Sequence, residues 1–286
     1  MVKRRGPVVG RRKLGKALRR LREAADLKGA DVARQLKCVT SRISRIEGGD
    51  LVPNRDDLRI MLEMYGVEDD SERQLLFDLL TEANRKGWYE SYGRIMHPKF
   101  QVYIGLETDA TALNAYETVF VHGLLQTSAY AHAIIDATMP RAYPEEVDEL
   151  SELRVKRQEA LTRSDDPLQL WAILEEGAIR RPVGGSSTMR AQVEHLLQVT
   201  ELPSVHVQIM PTSVGAHAGL SGPFTIMEFD QEIPDILFVE SQGGNLYLEK
   251  PADLRRCKLT MNLLRDKAAA TEESRRLLME LAKEHE

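Results

Sequence analysis

Leu14, Ala17, Leu18, Leu21 and Ala25 recur at spacings of three and four along residues 11–25 and put one apolar stripe on a helix. Arg11, Arg12, Lys13, Lys16, Arg19, Arg20 and Arg22 surround that stripe. GADVARQL (29–36) predicts a short second helix that buries Val32, Ala33 and Leu36. TSRISRIE (40–47) predicts a third that buries Ile43 and Ile46, closed by Gly48-Gly49 as a C-cap. Pro53-Asn54 opens a fourth with Leu58, Met61, Leu62 and Tyr65 inward, and Gly66 stops it. Ser71 with Gln74 has the pattern of a capping box for a fifth, which carries Leu75, Leu76, Leu79 and Leu80. Five short helices predict an all-α helix-turn-helix domain over residues 1–85.

An aromatic-rich stretch follows, with Trp88, Tyr89, Tyr92 and Phe100 around a His-Pro step. It reads as a linker over 86–105 that packs against one or both domains. Beyond it the pattern changes. Helical periodicity appears at 107–117, 124–137, 145–163, 187–200, 251–269 and 272–284. Between these lie β-like runs at 168–174, 205–210, 223–229, 235–240 and 245–249, with glycines such as Gly184-Gly185, Gly215, Gly222 and Gly243-Gly244 at the turns. The expectation for 106–286 is an α+β C-terminal domain. No internal repeat or low-complexity tract interrupts it.

Composition changes this picture in one respect. The 286 residues are 42% hydrophobic and 29% charged, ordinary for a soluble globular chain. The net charge of −5 hides an asymmetry: residues 1–50 hold 15 Lys and Arg against 5 Asp and Glu, and the rest is acidic. A basic head on an acidic body fits a nucleic-acid contact at one end, and it equally fits a solvated basic face. No apolar run approaches the roughly 20 residues of a membrane span, and no apolar segment follows the basic N-terminus as a secretory signal requires. The two cysteines, Cys38 and Cys257, have no partner motif, which points to a reducing cytoplasm.

Residues 27–50 carry the functional signal. Two short helices flank a turn at Lys37-Cys38-Val39. Small Ala33 lets them pack closely, and Leu36, Ile43 and Ile46 fill the wedge behind. The second helix then projects as a rod whose polar face can enter a major groove, where base edges carry a distinct donor and acceptor code. Thr40, Ser41, Arg42 and Arg45 are the residues free to enter, and an Arg can grip guanine with two hydrogen bonds. The basic tail Lys3, Arg4, Arg5, Arg11, Arg12 and Lys13 has two readings, a backbone or minor-groove contact or plain disorder. The expected partner is double-stranded DNA. One helix-turn-helix buries little surface, so a homodimer on a near-palindromic site is expected, held by the C-terminal domain or its helices at 251–284.

The run L-x-x-x-x-V-A-x-x-L-x-x-x-x-S-x-I-S-R-I-E-x-G resembles the XRE helix-turn-helix family. The likeness continues through GWYESYGRIMHPKFQVYIGLETDA, YETVFVHGLLQTSAYAHAII and VHVQIMPTSVGAHAGLSGPFTIMEF, which resemble actinobacterial XRE regulators of the WhiJ type. The resemblance implies a transcription regulator whose C-terminal domain receives a signal from a ligand or from a small co-encoded protein. The alternative is an antitoxin-like chain that binds such a protein and uses DNA for autoregulation. Where the family opens the second helix with Ser and a phosphate-touching Gln, Lys28 and Gly29 stand here. Lys28 can neutralise a phosphate, and the Gly29 N–H can donate to one. Where Ser caps the recognition helix, Val39 stands, so Thr40 is expected to cap one residue late and commit its hydroxyl to the backbone.

Other constellations are weaker. None of the seven histidines sits with Cys or Glu at metal spacing, so no metal or cofactor is expected. Glu175-Glu176 imitates a carboxylate pair, but adjacent residues usually point apart, and no base or nucleophile lies nearby in sequence. The Gly-rich stretch 211–224 lacks a phosphate-loop signature and reads as a connection, with His217 at its tip. No catalytic set can be assembled, so no enzyme is expected. Glu47 is expected to be structural, since a carboxylate near phosphates is repelled.

Overall fold

A computed structural model describes residues 6–139, 143–230, 233–241 and 244–285. Lys3, Arg4, Arg5 and Gly243 lie outside the described residues. The described residues form two compact units, one of residues up to Glu90 together with Ile233 and one of the remaining residues from Ser91 on.

The first unit is helical: α1 (Pro7–Ala24), α2 (Gly29–Gln35), α3 (Thr40–Glu47), α4 (Arg55–Met64) and α5 (Asp70–Ala83). The apolar stripes read from the sequence converge on one core, with Leu14, Leu18, Val32, Ile43, Ile46, Leu58, Met61 and Leu62 essentially sealed from water. Two details differ from expectation. First, α1 begins at Pro7, ahead of its stripe, because Pro is well placed at the first helical position and Val8 and Val9 are buried. Second, the cap of α5 is Asp69, which accepts from the Ser71 backbone N–H at 2.9 Å, so Ser71 lies inside the helix and Gln74 bonds Asp78 instead. The paired leucines left the facing of α5 open: Leu76 and Leu80 are buried, while Leu75 is 61% exposed.

The second unit is α+β. Six strands form one mixed sheet in the order β3-β2-β1-β4-β5-β6: β1 (Ala112–Glu117), β2 (Gln169–Glu175), β3 (Val205–Met210), β4 (Phe224–Glu228), β5 (Ile236–Val239) and β6 (Leu246–Leu248). β1, β2 and β3 pair in parallel, and β4, β5 and β6 continue from β1 in antiparallel fashion. The helices are α6 (Pro98–Asp109), α7 (Ser128–Thr138), α8 (Pro144–Arg157), α9 (Glu176–Arg180), α10 (Ser186–Val199), α11 (Pro251–Lys267) and α12 (Thr271–Glu284). On one sheet face Tyr116, Ile173, Phe224 and Ile226 pack with Leu254, Met261 and Leu264 of α11.

The stretch 107–117 is not a helix. Its first three residues finish α6, and from Ala112 to Glu117 it is β1, a central strand. Leu113 through Tyr116 are all buried, so the alternation that marks a half-exposed strand is missing. Much of the stretch read as linker is α6 itself, with Tyr103, Ile104 and Leu106 buried.

Candidate nucleic-acid interface

α3 is held from three sides. Cys38 N–H donates to the Ala33 carbonyl at 2.9 Å and closes the turn from α2, with Lys37 at φ +50 supplying the left-handed step. α1 approaches so closely at Gly15 that a Cβ there would sit 2.6 Å from the Ile46 carbonyl oxygen. Any side chain at Gly15 therefore displaces the recognition helix backbone. Arg22 of α1 then forks onto Glu47, Nε to Oε1 at 2.6 Å and Nη2 to Oε2 at 3.0 Å, while its Nη1 donates to the Leu27 carbonyl at 2.6 Å. The guanidinium proton is held more firmly than usual, chiefly through the Glu47 hydrogen bond. Glu47 is thus a structural residue. Past α3, Gly49 takes φ +80, and Asp50 N–H returns to the Arg45 carbonyl at 2.9 Å.

The outer face of α3 presents Thr40, Ser41, Ser44 and Arg45, all exposed. Among the described residues, the Arg45 guanidinium enters no hydrogen bond or ion pair within the chain. Arg42 differs from it: its Nη2 donates to Asp57 of α4 at 2.5 Å, and the side chains are 31% and 14% exposed. Asp57 is itself fixed, its N–H donating to the Asn54 cap at 2.7 Å. Arg42, and not Arg45, is thus the arginine of this helix that meets a carboxylate.

Val39 is the N-cap residue of α3, with extended backbone and no side-chain cap. Thr40 is already helical and does not cap, so its hydroxyl is not committed to the helix end as expected. Lys28 is exposed, and its N–H is taken by the Asp31 carboxylate at 3.0 Å. A Cβ at Gly29 would lie 3.7 Å from Thr40 Cγ2, so the N-termini of α2 and α3 share one surface. Asp31 sits on that surface too, which opposes a phosphate at the Gly29 amide. One residue was overlooked in the sequence: Val39 is 69% exposed at the leading tip of α3. An apolar residue where a hydroxyl cap normally stands was the available signal, since a methyl-bearing side chain there can meet a thymine methyl.

The basic surroundings are partly neutralised by the chain itself. Arg11 donates to the Ala83 carbonyl at 3.0 Å, Arg19 pairs with Glu23 at 2.9 Å, and Arg34 pairs with Asp31 at 3.3 Å.

Residues 13–76 match the family model described as Helix-turn-helix domain. Residues 100–280 match the model described as Domain of unknown function (DUF5753). The chain belongs to the DUF5753 family. No curated protein and no solved structure matches it. The helix-turn-helix match covers the turn and α3 with the helices that hold them, and it supports an XRE-like, DNA-binding regulator. No helix among the described residues of this DUF5753 protein is long and apolar enough to cross a membrane.

In the DUF5753 region the fold brings side chains together that the sequence keeps apart. Tyr116 Oη donates to Glu175 Oε1 at 2.5 Å, and His217 Nε2 lies 3.2 Å from the same oxygen. Glu176 points elsewhere, accepting from Thr212 N–H at 2.8 Å and pairing with Arg180 at 2.6 Å. The two carboxylates thus hold the stretch 211–224 at Thr212, near its start, and at His217, in its middle. Among the described residues no group of three or more His, Cys, Asp or Glu is placed to hold a metal ion.

Proposed function

We propose that this chain is a sequence-specific transcription regulator of the WhiJ type. In this reading it binds its operator as a homodimer through α3, and the DUF5753 domain receives a signal from a ligand or a small co-encoded protein. The observation that carries the reading is the exposed face of Thr40, Ser41, Ser44 and Arg45 on a helix whose axis is fixed by the Arg22–Glu47 fork. Among the described residues nothing takes the five N–H donors of the Arg45 guanidinium, and guanine offers two acceptors in the major groove. The reading assigns no catalytic step and no cofactor to the chain. A regulator works where the chromosome is, so it places the protein on the nucleoid, in the cytoplasm.

Selection of randomised duplexes by the full-length chain tests this. The expected outcome is one enriched near-palindrome with half-sites about 34 Å apart, bound by two chains, with affinity falling steeply as salt rises. Uniform recovery of all sequences would overturn the reading. Co-purification of a small co-encoded protein in stoichiometric amount identifies that protein as the signal. An antitoxin-like role requires, beyond this, that the small protein be harmful without its partner.

A further inference from the structure

The DUF5753 unit contains a cavity of about 380 Å³ at one end of the sheet. That is the size of small-molecule sites, which run from about 300 to 1,000 Å³. Glu117 closes β1 there, Phe224 opens β4, and Glu240 follows β5; the pairings Tyr116↔Phe224 and Thr225↔Phe238 set these strand ends side by side. β1 is also the strand at which the sheet passes from parallel to antiparallel pairing. A crevice outside the carboxyl ends of strands is where open α/β sheets commonly take ligands.

One wall is aromatic. Phe100 and Tyr103 of α6 stack at 5.9 Å, and Phe238 meets Tyr103 at 4.5 Å. α8 contributes two guanidinium groups of different status. Arg157 is satisfied: it forks onto Glu107 with both contacts at 2.7 Å, and it lies over the Phe100 and Tyr103 rings. Arg154 is not. One N–H donates to Gln126 Oε1 at 2.6 Å, and among the described residues no carboxylate pairs with it. Burial, and then the neighbouring Arg157, push its pKa down to about 10. Burial and the same two arginines hold His122 neutral, with its pKa pushed down to about 3. Burial and the nearby Glu240 push the Glu117 carboxyl up to about 8 against the pull of Arg154, so at neutral pH it offers an O–H donor rather than a repelling charge. Among the described residues, the carboxylate left beside Arg154 is Glu240, exposed at the mouth.

We propose that this cavity binds a small organic anion with an aromatic or apolar body, its acidic group paired with Arg154 and its body against Phe100, Tyr103 and Phe238. The inference deepens, and rests on, the reading of this domain as a signal receiver. A cationic ligand would meet two guanidinium groups, while an anion gives Arg154 the partner it lacks.

The probe is anilinonaphthalene sulfonate, and its neutral counterpart is N-phenylnaphthylamine, the same aromatic body without the acid. Binding to the full-length chain is read by fluorescence without DNA. The expected result is saturable binding of the sulfonate at one site per chain. Arg154→Gln should weaken it about tenfold or more, as loss of a charge-assisted contact implies, and leave the neutral probe within about twofold. Glu240→Gln lies at the exposed mouth and does not threaten folding. It should tighten the sulfonate about threefold by removing a like charge, again without moving the neutral probe. If Arg154→Gln loses its circular dichroism signature, Glu240→Gln decides alone. Equal sulfonate affinity in both variants and the parent, effects of the opposite sign, or binding that never saturates overturns the proposal. A chain that recognised no operator would still return the same ranking of probes, so failure of the site and failure of the regulator reading are separable.

Discussion

Arg22 of α1 and Glu47 at the end of α3 meet through two parallel hydrogen bonds, with side chains only 13% and 9% exposed. Bidentate, charge-assisted pairs of this kind fix direction as well as distance. The pair therefore sets the angle at which α3 leaves the core. Removing one partner strands a mostly buried charge, at a cost of about 2–3 kcal/mol. Arg22→Met and Glu47→Gln should each speed hydrogen exchange at the α3 amides of the full-length chain. The double variant should recover part of that loss. Additive effects of the two single changes would show that the fork contributes nothing of its own.

Arg42 and Arg45 sit three residues apart, yet the fold gives them different surroundings, a carboxylate for Arg42 and solvent for Arg45. Arg45→Ala should lose about 1–3 kcal/mol at the selected operator and relax preference at one base pair. Arg42→Ala breaks a half-exposed pair with Asp57 and should cost up to about 1 kcal/mol of stability, with the smaller change in base preference. Lys28→Ala should weaken all sequences alike and lower the salt slope by about one phosphate's worth. Competition binding on a panel of single-base operator variants ranks the three. An Arg42 variant that loses more discrimination than the Arg45 variant would reverse the assignment.

Val39 occupies the N-cap position of α3 without a capping group and stands exposed. Val39→Ser should stabilise the helix by about 1 kcal/mol through the missing cap. If Val39 meets a thymine methyl, the same change should cost about fourfold in preference for thymine over other pyrimidines at one position, as loss of one buried methyl group implies. Stability and specificity then move in opposite directions. A serine variant with unaltered base preference would leave Val39 with no reading role.

The helical unit was legible because its helices are short, amphipathic and separated by turn residues, so Leu14, Ile43, Ile46 and Leu58 fell on the core side directly. What the sequence hid was contact. Nothing in the spacing pairs Arg42 with Asp57 across a loop, or brings Tyr116, Glu175 and His217 together from three segments. β1 was hidden for another reason: a strand buried on both faces carries no alternation, and Glu107 at the start of that window extends a helical pattern that ends at Asp109. Misplacing β1 hid the cavity as well, since Glu117 marks its edge.

Two groups in the walls of that cavity, Glu117 and His122, make the stability of the chain depend on pH. Glu117 has its pKa raised from an ordinary 4.5 to about 8, by burial first and then Glu240. The folded chain therefore keeps a proton that the unfolded chain has released. The stability this contributes is complete below pH 4.5 and is lost as pH rises through about 8. His122 runs the other way, lowered from 6.5 to about 3 by burial and then Arg157. Its contribution is complete above pH 6.5 and is lost as pH falls toward 3. Between pH 4.5 and 6.5 the two slopes oppose one another. From pH 6.5 to 8 Glu117 titrates while Arg154 and Arg157 stay charged. The pair thus predicts a decline across that window of at most about 1.4 kcal/mol per pH unit, less because Glu117 is partly accessible. Glu117→Gln removes the titrating proton and should flatten the decline, whatever it does to stability at any single pH. Thermal unfolding of the full-length parent and variant at pH 6.5 and 8 reads the difference in slope. Parallel slopes in the two proteins would show that Glu117 is ionised in the folded state throughout, and that it offers no proton to a bound anion.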